Sequence, residues 1–181
     1  MPNILFTSPR LQFRAWQDDD RLNLRTMNAD PQVMEHFPSV LSAEESDKLY
    51  VKLTDHYHDH GYTFYAVDRT DLMAPQFIGM IGIANPSFHL DYGKDWTEIG
   101  WRTMPSSWGI GLGSEGAKRV IKYAFEELGK ECIYSFTTTT NKKSERVMQK
   151  IGMQHIGFFE HPLVAESSPL CTHTLYRIQS S

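Results

Sequence analysis

Apolar and polar residues alternate through Leu11-Gln12-Phe13-Arg14-Ala15-Trp16, the period of two that a half-buried strand requires. Asp18-Asp19-Asp20 then offers cap and first-turn acids for a helix running to about Met27, which Asp30-Pro31 closes. In Ser42-Ala43-Glu44-Glu45 a serine and a glutamate stand three apart as a capping box, and Leu49, Leu53 and Tyr57 follow at helical spacing until Gly61. Three strand-like runs come next, over 62–68, 77–84 and 96–103, separated by turns bearing Pro, Gly and Asp; they predict an antiparallel meander. From Gly109 onward the period changes. Ala117, Val120, Ile121, Ala124, Phe125 and Leu128 recur at three and four, which predicts an amphipathic helix ended by Gly129. A strand over 132–139, a short helix over 141–151 stopped by Gly152, and strands over 153–159 and 172–178 complete the pattern. The sum is one α/β (α+β) domain over residues 1–181, with a mixed, mostly antiparallel sheet of about seven strands flanked by about four helices.

A chain of 181 residues buries about 70% of its unfolded surface, enough for a core without disulfides or structural metals. Its 18 Lys+Arg against 22 Asp+Glu argue against a general nucleic-acid binder, because that affinity comes from cations neutralising phosphates. The longest nearly apolar run, Phe77 to Ala84, falls far short of the ~20 residues that span a bilayer, so no membrane association is expected. The N-terminus lacks a basic segment followed by a long apolar one, which makes a cytoplasmic location the expectation. In that compartment Cys132 and Cys171 are expected as free thiols. The net charge of −4 would favour cationic amines as ligands.

Gly111-Leu112-Gly113-Ser114-Glu115-Gly116 matches G-x-G-x-x-G, but its context is not that of a dinucleotide fold. Met104 to Trp108 separate the glycines from the preceding strand, and the next strand ends in threonines rather than the acid that would hold a ribose. A P-loop is excluded because Ala117-Lys118-Arg119 stands where Gly-Lys-Ser/Thr is needed. What survives is a helix N-terminus whose free N–H groups and dipole suit a diphosphate.

Trp108-Gly109-Ile110-Gly111-Leu112-Gly113-Ser114-Glu115 resembles the acyl-CoA pyrophosphate loop of the GNAT N-acetyltransferases, in the form carried by their RimJ/RimL-type branch. The likeness continues in order through Thr7–Leu11, Asp30–Met34, Phe77–Gly82, Glu98–Arg102, Asn141–Met148, Phe159–Pro162 and His173–Arg177. Trp108 replaces the superfamily's Arg or Gln, and Leu112 and Gly113 replace the branch's Tyr and Ala; neither change removes a backbone N–H. The resemblance implies the GNAT acyl-CoA N-acyltransferase fold. It also implies acetyl-CoA as cosubstrate, no metal, and direct transfer to a primary amine by a monomer or homodimer. The acceptor it suggests is a protein N-terminal α-amine, with a small-molecule amine or a non-catalytic CoA-binding module as alternatives.

For individual residues, the resemblance implies that Trp108, Gly109, Ile110, Gly111, Leu112, Gly113 and Ser114 hold the diphosphate, and that backbone at Ile99, Trp101 and Thr103 receives the pantetheine arm. Asn141 would bond that arm and Ser144 would face the sulfur as proton donor, while His36 and Phe37 would line the acceptor site. Glu98 alternates with Ile99 and Trp101, so its carboxylate points to the other face. It is either the general base, acting through water, or a sheet-face acid that orients or solvates. As base, its loss would lower turnover most at low pH. His56, His58 and His60 include an i,i+4 pair, but they lack the glutamate of H-E-x-x-H and read as a solvated helix end. His161 and His173 are expected at the rim of the cleft.

Overall fold

The computed structural model describes residues 3–88, 90 and 96–180. Its elements run β1 (Ile4–Thr7), β2 (Leu11–Arg14), α1 (Asp20–Ala29), α2 (Ala43–His60), β3 (Phe64–Arg69), β4 (Gln76–Ala84), β5 (Glu98–Thr103), α3 (Leu112–Glu126), β6 (Cys132–Thr138), α4 (Lys142–Lys150), β7 (Gln154–Glu160) and β8 (Thr172–Gln179). All strands lie in one sheet, ordered β1-β2-β3-β4-β5-β6-β8-β7. Every pairing is antiparallel except β5 with β6.

The sheet therefore has eight strands rather than about seven. The additional one, β1, is four residues long and too short for alternation to announce it. It is held by one aromatic anchor, Phe6, stacked on Phe13 at 4.6 Å and on Tyr123 at 4.2 Å. The next strand departs from its half-buried pattern, since all of β2 is buried. Its polar members sit in an ionic knot. Arg14 donates to Asp68 Oδ2 (2.6 Å) and Asp20 Oδ2 (2.6 Å), and Gln12 Nε2 donates to Asp68 (2.8 Å). Asp20 thus pins α1 to the sheet, and the N-cap Asp19 makes no capping hydrogen bond. The capping box of α2 does form. Ser42 Oγ accepts from Glu45 N and Ser42 N donates to Glu45 Oε2, and Gly61 ends the helix at φ 78°.

Each face of the sheet carries a core. Trp16, Leu24, Met27, Tyr50, Leu53, Ala66 and Met80 fill the space beneath α1 and α2. Ile81, Ile83, Ile99, Leu112, Ala117, Val120, Ile133 and Met148 fill the other, beneath α3 and α4. Gly116 is where α3 meets the sheet: a Cβ there would lie 2.5 Å from Ile81 Cδ1. Both cysteines are free.

The feature that positions the site is the junction of β5 and β6. On its other edge β5 pairs with β4 along its whole length, from Glu98↔Ala84 to Thr103↔Gly79. Against β6 the register holds only Glu98↔Tyr134, next to a hydrogen bond from Tyr134 N to Thr97 O at 2.9 Å. Beyond that point the two strands diverge and the sheet opens.

Candidate active site

The opening is the centre of a cleft of ≈ 820 Å³ that reaches from the glycine loop to the connection between α1 and α2. Ser135 Oγ donates to Ile99 O at 3.0 Å, so the main-chain groups of Ile99 face β6. Direction alternates along a strand, and those of Trp101 face the same way, where register pairing with β6 has ended. Thr103 is already engaged: its carbonyl and its Oγ1 both accept from Trp108 Nε1, at 3.0 and 3.1 Å. Of the three predicted backbone positions, Trp101 is the one left open within the gap.

The glycine loop bends through Gly109 (φ 75°) and Gly111 (φ 85°), backbone angles that cost an L side chain about 1–2 kcal/mol. Gly111 is the N-cap of α3, and no side chain caps the helix. The first-turn N–H groups, through Ser114, are therefore free for an anion. A bracket unforeseen in the sequence holds this loop from below. Glu115 Oε1 accepts from Ser8 Oγ (2.7 Å) and Arg10 N (2.8 Å), and its Oε2 accepts from Arg10 Nε (2.7 Å). Arg10 Nη1 reaches on to the Ile110 carbonyl at 3.1 Å. Burial works to raise the Glu115 carboxyl, but the bonds from Ser8 and Arg10 outweigh it and hold the group below its usual range. The signal was present as Thr7–Leu11, part of the resemblance yet without an assigned task; only folding brings it to the loop 105 residues later.

On the α4 side, Asn141 is the N-cap: its Oδ1 accepts from Ser144 N (3.1 Å) and its Nδ2 donates to Thr137 Oγ1 (3.0 Å). Ser144 Oγ accepts from Trp101 Nε1 at 3.2 Å and keeps its own hydrogen free. Lys143 lies over the Trp108 ring, 4.9 Å from its centroid, joining α4 to the glycine loop.

The far wall belongs to the other face of β5. Glu98 is half-buried within the cleft, accepts no hydrogen bond among the described residues, and is pushed up to about 7 by burial, with Lys52 opposing. Four residues on, Arg102 donates from Nη1 to Asn28 Oδ1 at 2.7 Å and stacks 4.2 Å from the Phe37 ring centroid. Burial brings its guanidinium down to about 10. His36 Nδ1 is 3.4 Å from Thr140 Oγ1, and both predicted acceptor residues, His36 and Phe37, line the cleft. His161 and His173 close one end as a ring pair 4.7 Å apart, packed with Phe136 and Phe159. His56 has both nitrogens occupied: Nδ1 is 2.7 Å from Tyr62 O, and Nε2 accepts from Asn85 N at 3.1 Å. No helix among the described residues is long and apolar enough to cross a membrane.

Comparison with known proteins gives a consistent picture. The family described as acetyltransferase (GNAT) domain matches residues 10–154. An uncharacterised N-acetyltransferase of Bacillus subtilis (strain 168), YnaD, is 30% identical over 154 residues, 85% of each chain. Among solved structures, RimL, a ribosomal L7/L12 α-N-protein acetyltransferase in complex with coenzyme A, superposes with a TM-score of 0.76 at 15% identity, covering 98% of both chains. The spermidine N-acetyltransferase of Vibrio cholerae, with CoA and spermine, does so with a TM-score of 0.73 at 19% identity, covering 94% of this chain and 95% of its own.

Proposed function

The chain belongs to the GNAT acetyltransferase family and is an N-acetyltransferase; from that premise we propose that it transfers acetyl from acetyl-CoA directly to a primary amine. The observation that carries this reading is the division of the β5 wall. Glu98, without a hydrogen-bond partner among the described residues and pushed up to about 7 by burial, faces one side, and Ser144, tethered through Trp101, lies on the other.

The residues fit acetyl-CoA as substrate. The uncapped N–H groups of Gly111 to Ser114 suit its diphosphate, and two cations about one turn apart on α4, Lys143 and Arg146, also line the cleft. The open main chain at Trp101 suits the pantetheine amides and, through its N–H, the thioester oxygen. Asn141, with both amide ends engaged by the protein, acts mainly by fixing Ser144.

In the transfer a C–N bond forms between amine nitrogen and acetyl carbon while the C–S bond breaks. Glu98, as carboxylate, takes the proton that the amine loses, directly or through a water. Ser144 relays a proton to the departing sulfur and takes one back from cleft water, while Glu98 returns its proton to solvent; the weak basicity of the sulfur (thiol pKa ≈ 8.5) asks for no strong acid. An α-amine with pKa near 7.7–8.0 is on the order of 10–20% neutral at pH 7, so a base of this strength is sufficient, whereas a lysine amine would be almost wholly charged. The RimJ/RimL-like loop supports a protein N-terminus as acceptor, and the small-amine relative in the superposition supports a free amine.

The test is thiol release from acetyl-CoA with a panel of peptides and small amines, and mass detection of the acetylated product. Tight CoA binding without thiol release on any amine would reject catalysis in favour of a CoA-binding module.

A further inference from the structure

Arg102 is the cleft residue that the transfer chemistry leaves unused, and its surroundings are unusual for an arginine in this protein. Arg14, Arg25 and Arg69 each close the edge formed by Nε and Nη2 on one aspartate: Asp68, Asp47 and Asp71 respectively. That edge is the fork that matches the two oxygens of a carboxylate. Among the described residues the same edge of Arg102 has no partner: Nε is buried without a hydrogen bond, Nη2 makes none, and Nη1 donates to Asn28. No carboxylate of the described residues pairs with this guanidinium, which burial brings down to about 10.

The position is held firmly. Asn28 is fully buried and itself receives no choice of orientation, since its Nδ2 donates to Ser46 Oγ at 3.2 Å. The ring of Phe37 supports the flat side of the guanidinium. A buried charge that lacks its counter-ion is costly, and the cost is recovered when an anion arrives. The period of the strand puts Arg102 on the same face as Glu98, about 13 Å away between Cα atoms at ~3.3 Å per residue, and both side chains line one cleft.

We propose that the acceptor amine carries a carboxylate and that Arg102, whose guanidinium lines the cleft with its Nε–Nη2 edge unpartnered among the described residues, is the residue that selects it. The inference rests on the acceptor entering on the Glu98 side, as argued above. Two sources share this chemistry: the α-carboxylate of a free amino acid, and an acidic side chain next to the N-terminus of a peptide. Arg102 binds and orients; it takes no part in proton transfer.

The experiment compares matched pairs on the wild-type protein with acetyl-CoA. Free glycine, leucine and phenylalanine are set against their carboxamides, and pentapeptide amides beginning Ser-Glu against those beginning Ser-Gln. With kcat/KM expressed on the concentration of neutral amine in each substrate, the expected result is a value higher for the anionic member by about 10–100-fold, the range of a charged hydrogen-bonded contact. The pair that shows it identifies the source. Arg102→Lys should reduce the preference to below about threefold, through KM, with acetyl-CoA affinity unchanged. On the same neutral-amine basis, equal or better use of the carboxamides by the wild type overturns the inference, whatever the variant does. If no amine is acetylated, the transfer reading fails. The inference is then decided by calorimetric titration of the same pairs into the CoA-bound protein, with equal affinity rejecting it.

Discussion

Trp101 on β5 donates its indole N–H to Ser144 Oγ on α4 at 3.2 Å, across the gap where the sheet opens. The bond fixes the hydroxyl oxygen as an acceptor and leaves its hydrogen to point elsewhere in the cleft. Trp101 thus turns its backbone to the gap while its side chain holds the serine, so that the proposed reaction meets both through one residue.

Ser144→Ala is expected to lower kcat by about 100-fold or more, in the range of a lost general acid, with a smaller change in the KM for acetyl-CoA. Trp101→Phe removes one neutral hydrogen bond and should cost about fivefold in kcat. Steady-state kinetics with a saturating amine measure both. Full turnover in Ser144→Ala would remove that residue from the role.

The Glu98 carboxyl, raised to about 7 by burial, alters the pH behaviour expected from sequence. A raised acid is protonated below its pKa and becomes a base only above it. Activity of the wild type should therefore rise with pH through about 7. Glu98→Gln should lose about 100-fold above that pH and little below about 6, the reverse of a defect concentrated at low pH. A pH–rate profile of the variant parallel to the wild type would show that Glu98 only shapes the wall.

Glu115→Gln weakens the bracket of Ser8 and Arg10 beneath the glycine loop. On the proposed reading, in which the loop holds the cosubstrate's diphosphate away from the reacting atoms, the expected outcome is a KM for acetyl-CoA raised by about 10-fold, with kcat at saturation nearly unchanged. Calorimetric titration of CoA gives the same ratio independently.

Arg14→Leu leaves Asp20 and Asp68 buried without their counter-ion. The loss should be about 3–5 kcal/mol, and a Tm about 10 °C lower at ~2–4 °C per kcal/mol for a chain of this size. Thermal denaturation followed by circular dichroism is the measurement. Since Arg14 lies outside the cleft, kcat of the folded variant at low temperature should be retained.

Most elements were legible because their signals are local. The capping box at Ser42 and Glu45, the three-and-four spacing of α3 and the stops at Gly61 and Gly129 each act within one or two turns of helix, and the structure uses them as expected. β1 was not legible, since four residues carry too little pattern and its stability comes from Phe6 meeting Phe13 and Tyr123. Asp20 stands in the first turn of α1, as the run of acids predicts, but its carboxylate is bound by buried Arg14, a partner that only the fold brings to it.

The sequence by itself determined the type of fold, the glycine loop and the residue kinds along β5 and α4, because periodicity and turn chemistry depend on neighbours in the chain. Only the tertiary structure decided which of them meet. The divergence of β5 from β6 after one register pair, the bond from Trp101 to Ser144, the Glu115 bracket and the open edge of Arg102 all join segments distant in sequence. Their energies depend on burial and on the absence of competing partners, quantities that a linear pattern does not contain.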